Sequence, residues 1–102
     1  KLGQMQLFES SINCLKMLRK LATLNVRTIC AVNGHAYACG VIFALMHDIV
    51  IMRSDYGYVC LPEARSGMAL STFFVRTCTE LLPPQSARIL MLGTVLKPAE
   101  AL

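Results

Sequence analysis

Glu63 closes the stretch Val59-Cys60-Leu61-Pro62-Glu63, about two dozen residues after a turn of small side chains, Asn33-Gly34-His35-Ala36-Tyr37-Ala38-Cys39-Gly40. Small side chains let another group come close to the backbone. If this turn opens a helix, its free N–H groups and the helix dipole favour a negative oxygen. A carboxylate held among apolar groups becomes a usable base near neutral pH. A backbone anion cradle and one acid/base facing the same pocket suit proton abstraction beside a thioester carbonyl, with the enolate oxygen on the cradle. Each feature also has a plainer reading. Tight packing of a strand-to-helix turn explains the small residues, and composition alone favours it. A surface carboxylate paired with Arg65 or solvent explains Glu63 equally well.

Other chemistries fit less well. No Gly-Lys-Ser/Thr follows the turn, so it is not a phosphate loop, and it holds no Ser, so it is not a nucleophile elbow. No Ser/His/Asp or Cys/His pairing is readable from spacing. Cys39 has no neighbour in sequence that would activate a thiol. Asp48, between an expected helix end and an expected strand, reads as a structural cap or ion-pair partner. His35 reads as a packing residue able to donate to a ligand, and His47 as a helix C-terminal residue.

The elements that must position these groups follow from periodicity. Met5, Phe8, Ile12, Leu15, Leu18 and Leu21 recur at three- and four-residue steps, which predicts an amphipathic helix over residues 2–24. Thr28-Ile-Cys-Ala-Val32 is β-prone and apolar on both faces, the pattern of a buried strand. Asn33-Gly34 turns the chain, a helix is expected over 37–46, and Ile49-Val-Ile-Met52 makes a second buried strand. Strand, turn, helix and strand predict a right-handed crossover with parallel strands. Residues 56–60 read as extended, and Pro62 ends that piece. Ser71 is placed to cap a helix over 72–81. Pro84 suits the first turn of a helix reaching about Leu92, and a further helix starts near Lys97.

Composition bounds the class. The 102 residues allow one domain with a modest core, and an apolar share of 55% exceeds the usual globular range. That excess predicts apolar surface meant for further chain or partner subunits. The net charge is +4, but the basic residues are scattered, so no nucleic-acid stripe is expected. The balance suits a solvated surface, and also a polyanionic small ligand such as a coenzyme A ester. The five cysteines have no zinc spacing and sit among apolar neighbours, which predicts reduced, buried thiols in an intracellular protein. Polar residues interrupt the apolar segment 28–52, so no membrane span is expected.

The same residues carry a family likeness. Thr28-Ile-Cys-Ala-Val-Asn-Gly-His-Ala-Tyr-Ala-Cys-Gly40, then Ala44-Leu-Met-His-Asp-Ile-Val-Ile-Met52, then Leu61-Pro-Glu63 and the stretch 86–101, resemble the crotonase (enoyl-CoA hydratase/isomerase) superfamily. The resemblance implies an α/β crotonase-like ββα spiral fold. Residues 1–102 would be the central part of one such domain, with its N-terminal strands and C-terminal helices lying outside. It implies an oxyanion-hole N–H on Cys39, where the family usually has Gly, and substrate contacts from Gly34, Ala36, Tyr37, Ala38 and Gly40. Of the two glutamates that hydratases carry, the first would fall on Ile42 and the second on Glu63. A single glutamate looks like the plant-type Δ3,Δ2-enoyl-CoA isomerases. The family's other oxyanion donor belongs to an upstream loop, so residues 1–102 would hold half an active site and are expected to be inactive alone.

The resemblance further implies an acyl-CoA thioester substrate, no cofactor beyond the coenzyme A of that substrate, no metal, and a homotrimer or dimer of trimers. A peroxisomal address is expected ahead of a mitochondrial or cytoplasmic one. The alternatives are a non-catalytic homologue that binds acyl-CoA or other subunits, and an enoyl-CoA hydratase, which Ile42 disfavours.

Overall fold

The computed structural model describes the backbone of residues 2–101 and the side chains of residues 3–101. A long helix α1 (Leu2–Ala22) leads to strand β1 (Ile29–Val32), a short strand β2 (Ala36–Tyr37) and helix α2 (Cys39–Leu45). Strands β3 (Ile49–Met52) and β4 (Val59–Cys60) follow, then helices α3 (Thr72–Leu81), α4 (Pro84–Met91) and α5 (Pro98–Ala101).

The chain makes one turn of a spiral and begins to retrace it. β3 lies parallel on β1, with Ile29 opposite Ile49 and Val32 opposite Met52. β4 lies parallel on β2, with Ala36 opposite Val59 and Tyr37 opposite Cys60. Parallel pairs need a crossover, and α2 supplies it between β2 and β3. Asp48 holds the first pair at its start. Its Oδ2 accepts from the Thr28 N–H at 2.8 Å, and its own N–H donates to Thr28 Oγ1 at 3.1 Å. This is the structural role the sequence suggests. On the outer side of β4, Val59 and Leu96 exchange both backbone hydrogen bonds at 2.9 Å.

Several expected elements are met closely. The Ser71 hydroxyl accepts from the Phe74 N–H at 3.2 Å and so caps α3. Pro84 opens α4, where its missing N–H costs nothing. α5 starts with a reciprocal contact, the Lys97 N–H donating to Glu100 Oε2 at 2.9 Å.

Three expectations need correction. The helix expected over 37–46 is shorter, because Tyr37 belongs to β2 and Ala38 breaks the geometry with φ 51° and ψ −120°. β1 and β3, expected to be buried on both faces, are exposed or half-buried along their length. Among the described residues they form a two-stranded sheet, which leaves their outer faces and edges open. The apolar stripe of α1 is buried only toward its C-terminal half. Leu18 is fully buried, whereas Met5 and Phe8 are more than 60% exposed.

The core gathers Leu18 of α1, Ala36 of β2, Val41 and Ile42 of α2, Leu61, Cys78 of α3, and Ala87 and Leu90 of α4. Every element near the small-residue turn therefore sends a side chain into one cluster. Gly57 shows how tightly the crossover is drawn. It adopts φ +107°, and a Cβ there would stand 2.5 Å from the Gly34 carbonyl oxygen. Both the backbone conformation and the space exclude other residues. We therefore expect Gly57→Ala to destabilise the protein by about 2 kcal/mol. Denaturant unfolding of the intact protein should show this as a lower midpoint.

Candidate active site

The small-residue turn and the Glu63 segment leave the same end of one strand pair. β2 runs into Ala38 and Cys39, and β4 runs into Leu61, Pro62 and Glu63. The strands are locked at that end, since the Ala38 N–H donates to the Cys60 carbonyl at 2.9 Å. At the other end the Ala36 N–H donates to the Tyr58 carbonyl at 2.8 Å. The C-terminal ends of parallel strands are the usual place for ligands in α/β folds. Leu61 fixes the chain beyond β4, because its side chain is fully buried.

Glu63 sits in a tight series of turns. Its carbonyl accepts the N–H of Ser66 at 3.1 Å and of Met68 at 2.8 Å. The side chain is half-buried, and among the described residues its Oε2 is enclosed without a hydrogen-bond partner. The expected alternative, a surface pair with Arg65, does not occur, since the ion pairs among the described residues are Arg53–Asp55 and Arg76–Glu80. Glu63 also makes itself felt on two thiols. Cys78 is pushed above its ordinary value by burial and then by the Glu63 charge. Cys60 is raised mainly by burial, with Arg65 opposing and Glu63 adding to the effect. An unpartnered carboxylate oxygen in such surroundings is costly unless it serves a ligand.

The turn is shaped by Ala38. Its φ of 51° with ψ −120° is a conformation that glycine adopts readily and alanine does not. This torsion turns the next peptide and sets the direction of the Cys39 N–H. Cys39 and Gly40 are the first two residues of α2, and their N–H groups have no backbone acceptor among the described residues. Gly40 has nothing within 4 Å of where a Cβ would lie, so the backbone there is open to approach. Ala36 is buried, Tyr37 is 46% exposed, and a Cβ at Gly34 would stand 3.9 Å from Cε1 of Tyr56. Ile42 is fully buried. His35 is occupied locally. Its Nδ1 accepts the Tyr58 N–H at 3.1 Å, and its ring stacks on Tyr58 with centroids 5.2 Å apart. His47 Nδ1 lies 2.8 Å from the Phe43 carbonyl, where it donates at the end of α2.

An apolar cavity between the strands and α4 does not coincide with these groups. This apolar cavity holds about 350 Å³, less than a second one of about 770 Å³ beside α1 and α3, and is lined by Val32, Ala36, Val41, Leu90 and Leu96 among others, but by neither Glu63 nor Cys39. Ala36 is the one predicted substrate contact that reaches it.

Two features escaped sequence reasoning. β2 is only two residues long and hides inside the small-residue run. The thiols of Cys14 and Cys39 meet at 2.8 Å, joining α1 to the turn. Cys14 lies one helical turn before the buried Leu18, a spacing that places both on one face. Cys39 is pushed up to about 11 by burial first and by the contact with Cys14 second.

Comparison with known proteins agrees with this architecture. The enoyl-CoA hydratase/isomerase family profile matches residues 3–102, and the chain belongs to that family. It is 38% identical over 87 residues to enoyl-CoA delta isomerase 3 of Arabidopsis thaliana, covering 83% of this chain and 37% of that protein. It is 36% identical over 83 residues to peroxisomal enoyl-CoA delta isomerase 2 of the same plant, covering 79% and 35%. A carnitinyl-CoA dehydratase of Proteus mirabilis is 36% identical over 86 residues, covering 83% and 33%. The chain thus spans about a third of the length of these relatives. Among solved structures, an enoyl-CoA hydratase/isomerase family protein of Silicibacter pomeroyi superposes with a TM-score of 0.79 at 19% identity, covering 93% of this chain and 41% of that one. An enoyl-CoA hydratase subunit of Geobacillus kaustophilus gives 0.74 at 24%, covering 99% and 41%. The fold is the crotonase fold in part.

The strain at Ala38 yields a test. Glycine removes a torsional cost of about 1–3 kcal/mol and adds about 0.5–1 kcal/mol of unfolded-state entropy. We expect Ala38→Gly to stabilise the intact protein by about 1 kcal/mol, seen as a raised denaturation midpoint.

Proposed function

We propose that the protein carrying this chain is a Δ3,Δ2-enoyl-CoA isomerase of unsaturated fatty-acid β-oxidation, with Glu63 as its proton shuttle. The observation that carries this reading is the enclosed, unpartnered Oε2 of Glu63, on the segment whose strand is registered against the Cys39 turn. Ile42, where the resemblance puts the other glutamate of hydratases, is a fully buried aliphatic side chain. One carboxylate suffices for isomerisation. Glu63 takes a proton from C2 of a 3-enoyl-CoA, and the electron pair spreads into the thioester as a dienolate. The Cys39 N–H donates to the oxygen that gains charge, together with a donor from outside residues 1–102. The Glu63 carboxyl returns the proton at C4, the double bond settles between C2 and C3, and the carboxylate is regenerated. Losing one such N–H typically costs about 10²–10³ in rate.

The carnitinyl-CoA dehydratase relatives favour a second reading, addition or removal of water. That reaction needs a base for water and an acid for carbon, and Ile42 supplies neither. The peroxisomal names of two relatives support the same organelle here. Exposed Met5, Leu7, Phe8, Ile29 and Ile51 support burial of these faces in an oligomer.

The test is conversion of a 3-enoyl-CoA to the 2-trans isomer by the intact protein. Glu63→Gln should lower kcat by about 10²–10⁴-fold with little change in KM. Turnover like the wild type in that variant overturns the assignment. A wild-type protein that binds acyl-CoA without turnover favours the non-catalytic alternative.

A further inference from the structure

Cys14 and Cys39 belong to different elements, 25 positions apart, yet their sulfurs stand 2.8 Å from each other. A disulfide bond is about 2.05 Å long, so roughly 0.8 Å of approach separates the thiol pair from a covalent link. Cys14 lies on α1 and Cys39 is the first residue of α2. Both are half-buried, so a small oxidant can reach them. The other thiols have no such contact among the described residues. Cys60 points its Sγ at the Gly93 carbonyl at 3.5 Å, and Cys78 is fully buried.

We propose that Cys14 and Cys39 form a peroxide-sensitive pair whose disulfide staples α1 to the small-residue turn. Two thiols and one hydrogen peroxide give one disulfide and two waters. One sulfur first attacks a peroxide oxygen, becomes a sulfenic acid and releases water. The other sulfur then attacks that sulfenic sulfur, forms the S–S bond and releases the second water. Each cysteine loses one electron, and the peroxide gains both. Cys39, pushed up to about 11, is almost wholly protonated at neutral pH. Either thiol can take the oxygen first, and the proton of the second leaves with the departing hydroxide as water. An external dithiol reverses the link by exchange.

The link has a functional consequence that rests on the proposed isomerase reading. Cys39 supplies the N–H meant for the thioester oxygen. Drawing its side chain toward α1 shifts the adjoining peptide, and a misplacement near 1 Å can cost about 10²-fold. The reduced protein is the competent state, and the oxidised one is slowed.

The test treats the intact protein with hydrogen peroxide and then maps its peptides by mass spectrometry without reduction. The expected result is a Cys14–Cys39 linked peptide ahead of any other, lost on dithiothreitol treatment and absent in Cys14→Ser and Cys14→Ala. In the wild type, 3-enoyl-CoA turnover should fall at least tenfold and recover with dithiothreitol, while both Cys14 variants keep their activity in peroxide. Absence of the linked peptide while other cysteines oxidise overturns the pairing. A complete link with unchanged turnover overturns the coupling to the site. A reduced wild type that forms the link but has no isomerase activity refutes the function and leaves the thiol pair standing.

Discussion

The hydrogen bond from the Ala38 N–H to the Cys60 carbonyl, at 2.9 Å, fixes the arrangement on which the candidate site depends. It closes the β2–β4 pair at the end where both chain segments depart. A slip of one residue would turn the following segment over, since side chains alternate across a strand. Beyond the bond, each segment is tied down separately. Ile42 anchors α2 and Leu61 anchors the Glu63 turns, and both are fully buried in the same cluster. The candidate donor and the candidate base are therefore positioned by backbone pairing and core packing, with no direct bond between them needed. That leaves an enclosed carboxylate oxygen without a partner. Such groups are tolerated in native proteins where a ligand completes them.

Much of this was legible in the sequence where one signal dominates. α3 and α4 have strong local punctuation in Ser71 and Pro84, and their starts fall where those residues put them. β3 is a four-residue apolar run bounded by Asp48 and Arg53, and nothing competes with that reading. The Asp48 role followed from an acid between a helix end and a strand, and the structure gives it the Thr28 amide. Less was legible where tertiary context decides. Ala36 and Tyr37 form a strand only because β4 pairs with them, and no local pattern encodes so short a piece. Ala38 looks like its neighbour Ala36 in sequence, yet only Ala38 carries a positive φ. The proximity of Cys14 and Cys39 joins residues 25 positions apart, and no local pattern encodes it.

Burial shows the same division. The apolar faces of β1 and β3 read as buried strands, yet a two-stranded sheet leaves them open. The chain spans 41% of the solved structures it superposes on. The pattern in sequence thus reports the surroundings a strand is built for, and residues 2–101 supply only part of them. The same holds for α1, where Leu18 meets the core and Met5 and Phe8 do not.

The central claim is that a thioester oxygen meets the amide of Cys39 while its C2 faces the carboxyl of Glu63. The most direct measurement is a crystal structure of the intact protein with a non-reactive acyl-CoA analogue. The account predicts the carbonyl oxygen about 2.7–3.1 Å from the Cys39 nitrogen, with Glu63 within about 3.5 Å of C2. A thioester bound elsewhere, or a Glu63 carboxyl turned away from it into solvent, would contradict the account.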